Sequence, residues 1–174
     1  MSGSNPPEIP LSVIIFAYNE QENLPDVLEE LNAWLDHHEP RAEIIFVDDG
    51  STDGTLGTAR DCLTGRTARF ARHDHNRGIG AALKTAVALT RGEWVTFLPA
   101  DGQIPPAALG ILRTHARNNV HHELVFSIYD GRDDGALRTF LSFGVRALIW
   151  CVHGVRMRSD GPYLFRREIG RAHV

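Results

Sequence analysis

Cysteine is nearly absent: Cys62 and Cys151 are the only two among 174 residues. Thiols so few and so far apart supply neither a disulfide framework nor the paired spacing of a zinc site; they fit a reducing compartment, as small buried apolar residues. No apolar run approaches the roughly 18 residues of a membrane span. Residues 1–10 lack a positive start and an apolar stretch, so they read as a flexible lead rather than a signal peptide. A basic stripe is missing too: the net charge is −4 with both signs interspersed, which argues against nucleic acid as a main partner. Without internal repeats, low-complexity tracts or an interior linker, and with 43% hydrophobic residues, residues 11–167 are expected to form one domain.

What is present alternates. Leu11-Ser12-Val13-Ile14-Ile15-Phe16 has strand character, and Leu24, Val27, Leu28, Leu31 and Leu35 follow at helical spacing. Asn23 stands at an N-cap position, Pro25 in a first turn, and Pro40 beyond the helix end. The pattern predicts further strands at 44–48, 67–72, 93–98 and 123–127, with helices at about 53–63, 78–90 and 105–118. Such alternation predicts an α/β fold: a mostly parallel sheet with helices on both faces. From Ala136 to His153, Leu137, Phe140, Leu141, Val145, Leu148, Ile149 and Val152 recur at helical spacing, which suits an amphipathic helix on the sheet or at a membrane surface.

Nucleotide binding would follow different rules here from the commonest ones. The first strand is followed neither by a glycine triad of the dinucleotide folds nor by a P-loop ending in Lys-Ser/Thr. Instead two apolar runs end on acid: Ile44-Ile45-Phe46-Val47 enters Asp48-Asp49-Gly50-Ser51, and Trp94-Val95-Thr96-Phe97-Leu98 enters Pro99-Ala100-Asp101-Gly102-Gln103. Carboxylates at the carboxyl ends of parallel strands line the ligand crevice of an open sheet, where they suit a cation or a polyhydroxylated ligand.

Taken in order, four segments resemble family 2 glycosyltransferases of the GT-A (Rossmann-like) fold, in the dolichyl-phosphate mannose synthase-like branch. They are Phe16-Ala17-Tyr18-Asn19-Glu20, Val47 through Thr55, Asn76-Arg77-Gly78-Ile79-Gly80-Ala81-Ala82, and Leu98 through Pro106; Gly161 through Arg167 resembles the closing segment of the catalytic domain. The resemblance implies a nucleoside diphosphate sugar as donor, with Ala17, Tyr18 and Glu20 lining the nucleoside pocket and Asp49 holding base or ribose. Gly78 and Lys84, with Arg77, would lie near the diphosphate. The family's acidic motif usually reads Asp-x-Asp; here Pro99 takes the first acidic position, leaving Asp101 as the one catalytic carboxylate of the motif and, with Gln103, as holder of Mg²⁺ or Mn²⁺. Plainer readings stand beside these. Ser51 and Asp53 suit a helix cap, Gly78 and Gly80 suit close packing of a helix on the sheet, and Asp101-Gly102 suits a turn before a Pro-Pro helix start.

For the acceptor the resemblance implies polyprenyl phosphate, with Arg132, Arg138 and Ser142 as its ligands, although an arginine expected near 128 is replaced by Ile128-Tyr129. Arg138 equally suits a solvated helix face. A phosphate acceptor is already ionised and needs no base; for a hydroxyl acceptor Asp130, Asp133 and Asp134 are candidates by position. The histidines 37, 38, 73, 75, 121 and 122 form no ligand set, and most of them are expected at the surface or at helix ends. The expected activity is metal-assisted, inverting hexose transfer, at the cytoplasmic face of a membrane. The alternative is a nucleotide-sugar-binding module without transfer. A phospho-receiver fails on order, because the position after the third strand holds His73-Asp74 rather than the acid that becomes phosphorylated. Residues 168–174 are expected to be a non-native tail, since their back-translation resembles a sequencing adapter, with the natural chain continuing past Arg167.

Overall fold

A computed structural model describes residues 9–119, 121, 123–126 and 162–171. By contact pattern Phe126–Gly161 separate from the unit described here, Met1–Val125 with Pro162–Val174. Its elements run β1 (Leu11–Ala17), α1 (Leu24–His38), β2 (Glu43–Asp48), α2 (Thr55–Cys62), β3 (Ala68–Arg72), α3 (Ile79–Leu89), β4 (Trp94–Pro99), α4 (Ala107–Asn118), β5 (Leu124–Phe126), β6 (Tyr163–Arg166) and α5 (Arg167–Arg171). The sheet has six strands in the order β3-β2-β1-β4-β6-β5. β1 pairs in parallel with β2 and with β4, and β2 with β3, whereas β6 returns antiparallel to β4. The expected mostly parallel α/β sheet is therefore present, with one antiparallel strand that the alternation did not predict.

Burial on both faces explains why β1 and β2 are near-continuous apolar runs. Period-2 geometry sends Val13, Ile15, Ile44 and Phe46 into one core and Ile14, Ile45 and Val47 into another. The first is closed by Leu24, Leu28, Leu31 and Leu35 of α1 and by Leu109, Leu112 and Ala116 of α4; the second by Ala82, Ala86 and Val87 of α3. Small residues in α3 let that helix lie close to its face. The amphipathic spacing of the sequence thus becomes a three-layer packing.

Two buried carboxylates fix parts of this frame. Glu43, fully buried at the start of β2, accepts from Ser12 Oγ (2.7 Å), Arg91 N–H (2.6 Å) and Arg91 Nε (3.1 Å), tying the entry of β4 to β1 and β2. Glu39 accepts from Arg113 Nε and Arg117 Nη2, both at 2.7 Å, which joins the end of α1 to α4. These pairings let charged groups stay in the interior.

Cap expectations need correction. Asn23 occupies the N-cap of α1 but makes no capping bond; its Nδ2 donates back to Glu20 Oε2 (2.7 Å). α2 begins at Thr55 rather than 53, with Asp53 Oδ1 accepting from Thr55 N–H (3.0 Å), and Ser51 is drawn away to another loop. The amphipathic segment 136–153 lies outside the described residues.

Candidate active site

The chain runs outward from β1 through β2 to β3, then crosses back to β4 on the other side of β1. This reversal makes a topological switch point between the carboxyl ends of β1 and β4, where open α/β sheets bind ligands. Phe16 pairs with Pro99 and Ala17 with Asp48, so register alone brings the β1 exit beside both acid-tipped ends. Two surface cavities, of about 590 Å³ beside Trp34 and Ile111 and about 470 Å³ beside Asn32 and Arg66, lie away from it.

The loops after β1 and β2 are laced together. Asn19 adopts φ 55°, a left-handed conformation that asparagine tolerates, and donates its N–H to Ser51 Oγ (2.9 Å). Its Oδ1 accepts from Thr52 N–H (2.8 Å); Glu20 N–H donates to Thr55 Oγ1 (2.9 Å), and Gly54 N–H to Gln21 Oε1 (2.7 Å). Tyr18, at 43% exposure, is left facing solvent beside the β1 exit, while Ala17 is buried and Glu20 half-buried. Asn19, Gln21 and Thr55 hold this edge; Asn19 and Thr55 lie in segments that carry the family resemblance, whereas Gln21 had no sequence signal.

The adjacent acids divide the work. Asp48 is fully buried; its Oδ1 accepts from Ser51 N–H (2.9 Å), and Oδ2 lies 3.3 Å from Arg72 Nε as an ion pair without hydrogen-bond alignment. Asp49, 5% exposed, takes three donors: His73 Nδ1 (2.5 Å) and Arg77 N–H (3.0 Å) on Oδ1, and Gly78 N–H (2.8 Å) on Oδ2. Burial pushes its carboxyl up, but the His73, Arg77 and Gly78 hydrogen bonds and the charge of His73 outweigh that and hold it below the ordinary value of 3.8. Asp53 is lowered as well, chiefly by the Thr55 hydroxyl. A depressed carboxyl contributes stability that is complete above its unfolded pKa and is lost as pH falls through its folded one. Thermal midpoints are therefore expected to stay level from pH 7 to about 5 and to fall below about 4. Asp49→Asn should flatten that acid limb, as read by circular dichroism; an unchanged slope contradicts the assignment.

His73 is an exception to the surface position expected for most of the histidines: it is 7% exposed, bonded through Nδ1 to Asp49 and through Nε2 to Thr85 Oγ1 (2.9 Å). Gly78 corrects an expectation. A Cβ at Gly78 or Gly80 would meet nothing within 4 Å, so close packing is not their role; Gly78 is required by φ 85° and ψ 163°, a region essentially closed to other residues. Its N–H donates to both Asp49 Oδ2 (2.8 Å) and Asn76 Oδ1 (3.0 Å). The side chains of Arg77 and Lys84 are exposed, and neither has an ion pair among the described residues.

Beyond β4, Asp101 is exposed and its Oδ1 accepts from Gln103 N–H (3.0 Å) across Gly102 at φ 70°. Among the described residues no three acidic, histidine or cysteine side chains gather as a metal cage. One carboxylate and one amide on an exposed turn suit a hard cation that takes its other ligands from phosphate and water. Arg132, Arg138 and Ser142, together with Asp130, Asp133 and Asp134, lie outside the described residues. No helix among the described residues is long and apolar enough to cross a membrane.

A mostly parallel sheet with acid-tipped strands at its switch point defines an α/β domain of the GT-A type. The family model described as Glycosyl transferase family 2 matches residues 12–170, and the chain belongs to that family. It is 31% identical over 179 residues to a dolichyl-phosphate beta-glucosyltransferase of Trichomonas vaginalis, covering 93% of this chain and 55% of that protein. It is 30% identical to an undecaprenyl-phosphate 4-deoxy-4-formamido-L-arabinose transferase of Pseudomonas savastanoi pv. phaseolicola, covering 91% of this chain and 48% of the relative. The chain thus spans about half the length of these relatives. In fold it is similar to a mannosyltransferase from Pyrobaculum calidifontis in complex with GDP-Man and Mn2+, with TM-score 0.68, 21% identity, and coverage of 98% of this chain and 48% of that one. Glucosyl-3-phosphoglycerate synthase from Mycobacterium tuberculosis in complex with UDP gives TM-score 0.69 at 24% identity, covering 92% and 58%.

Proposed function

We propose that this chain is the donor-binding and catalytic part of an enzyme that transfers a hexose from a nucleoside diphosphate sugar to polyprenyl phosphate, with inversion. The observation that carries this reading is the pair of acids, Asp49 and Asp101, at the ends of β2 and β4 on either side of the β1 exit. Both relatives described above are named for transfer to a polyprenyl phosphate, which supports the acceptor class.

In this reading Ala17, Tyr18 and Glu20 border the nucleoside, and Tyr18 offers its exposed ring to the base. Asp49 accepts from the nucleoside with the capacity its three protein donors leave. The Gly78 turn and the first turn of α3 face the diphosphate, with Arg77 and Lys84 as added positive charge. Asp101 and Gln103 would hold Mg²⁺ or Mn²⁺, which when bound offsets charge on the departing diphosphate. An acceptor phosphate oxygen, already ionised, forms the new bond to the anomeric carbon from the face opposite the diphosphate. The carbon–oxygen bond to the diphosphate breaks, its electron pair leaving with the nucleoside diphosphate. Arg132, Arg138 and Ser142 would orient the acceptor phosphate, and in this reading the reaction runs at the cytoplasmic face of a membrane.

Calorimetry of this chain with UDP and with GDP, each with and without Mn²⁺, tests the donor side. Transfer from a panel of nucleotide sugars to a short polyprenyl phosphate tests the reaction. Metal-strengthened binding and turnover are expected. Tight binding with no turnover on any acceptor would instead select a binding module, the reading that Pro99 in the first acidic position favours.

A further inference from the structure

An ionised carboxylate offers about four acceptor sites, two on each oxygen. His73 Nδ1 and Arg77 N–H fill both sites on Asp49 Oδ1, and Gly78 N–H fills one on Oδ2. One site, on Oδ2, is left among the described residues. The partners also hold the imidazole in place: facing an acceptor-only carboxylate, Nδ1 carries a proton, and Nε2 is hydrogen-bonded with the Thr85 hydroxyl at 2.9 Å. Thr85 sits in α3, whose N-cap is Gly78, so a closed chain runs from α3 through His73 and Asp49 back to the start of α3.

The two candidate bases differ in what they bring to such an acceptor. Uracil presents one imide N–H between two carbonyls, which a single acceptor site satisfies. Guanine presents adjacent N1–H and N2–H groups, which pair with both oxygens of a carboxylate. Resting on the reading that Asp49 faces the base, we propose that His73 is a positioning residue for donor selection. By occupying Oδ1 it makes Asp49 a single-acceptor anchor that takes uridine donors and rejects guanosine ones. A guanine there leaves one edge donor desolvated and unpaired, at a cost of roughly 10- to 100-fold in affinity.

The test measures Kd for UDP and GDP with Mn²⁺ by calorimetry, on this chain and four variants. Wild type is expected to favour UDP by at least about tenfold. His73→Leu frees a site on Oδ1, so the ratio should shrink with an absolute gain for GDP; His73→Asn, whose amide replaces the Nδ1 donor, should restore the ratio. Thr85→Val, which releases the ring but keeps its bulk, should narrow the ratio less, and covers the case in which His73→Leu does not fold. A wild type that binds GDP at least as tightly as UDP overturns the proposal, as does equal weakening of both nucleotides in His73→Leu, the mark of a purely structural role. Asp49→Asn separates the two levels. Unaltered binding of both nucleotides in that variant refutes the base contact itself, whereas lost UDP binding beside a ratio insensitive to His73 refutes the present proposal alone.

Discussion

Asp101→Asn is expected to lower metal-dependent transfer by at least roughly 10²-fold, the scale on which removal of one electrostatic stabiliser acts. The prediction is sharp because the variant preserves local structure. An asparagine Oδ1 still accepts from Gln103 N–H, the bond of 3.0 Å that shapes the turn, and Gly102 keeps φ 70°. The side chain is exposed, so no packing is lost. What disappears is a negative charge, and with Pro99 in the neighbouring acidic position no second carboxylate of that motif replaces it. The change should therefore appear as loss of Mn²⁺ dependence in donor binding and turnover, with an unchanged melting midpoint. Turnover equal to the unsubstituted chain would remove Asp101 from the proposed mechanism. Pro99→Asp makes the converse measurement: a second carboxylate at the strand end should strengthen metal binding without altering the fold, since residue 99 is only half-buried.

Asp101 was legible in the sequence for a local reason. It ends an apolar run, and the run is apolar because β4 is covered on both sides. The same logic marked Asp49, and the leucines of α1 announced the packing face by spacing alone. His73 was illegible because its meaning comes from register. β2 and β3 pair so that Asp48 lies opposite Arg72, which puts the next residues, Asp49 and His73, side by side at the crevice. A sequence fixes alternation but not the stagger between strands 24 residues apart. β6 escaped for a related reason: a strand of four residues gains its place from pairing with β4 and from Thr96 Oγ1 donating to Tyr163 O (2.8 Å), neither of which is local. For Gly78 the packing reading was the wrong one. Space around it is open, and the constraint is a backbone angle that only the hydrogen bonds to Asp49 reveal.

Gly50 follows from the same crossing of loops, and Gly50→Ala is expected to destabilise the domain by about 2–5 kcal/mol, combining left-handed strain with overpacking. Gly50 has φ 79°, and a Cβ there would lie 2.3 Å from the carbonyl carbon of His75, 2.6 Å from its Cα and 2.7 Å from the nitrogen of Asn76. Those are backbone atoms, so relief requires the 73–78 turn to move as a body. That turn carries every donor to Asp49, and its displacement would break the bonds from His73, Arg77 and Gly78 together. Two other glycines separate the causes. At Gly54 the nearest atoms belong to the end of the Gln21 side chain, from 2.7 Å, which can swing aside at the cost of the one bond it accepts from Gly54 N–H. At Gly78 it would meet nothing, leaving the φ of 85° as the whole penalty, about 1–3 kcal/mol. Urea midpoints should therefore fall in the order Gly54→Ala, Gly78→Ala, Gly50→Ala, with nucleotide binding lost first in Gly50→Ala. A Gly50→Ala midpoint as high as that of Gly54→Ala would show that the two loops do not press on each other, and would free Asp49 from the turn that is inferred to leave it one acceptor site.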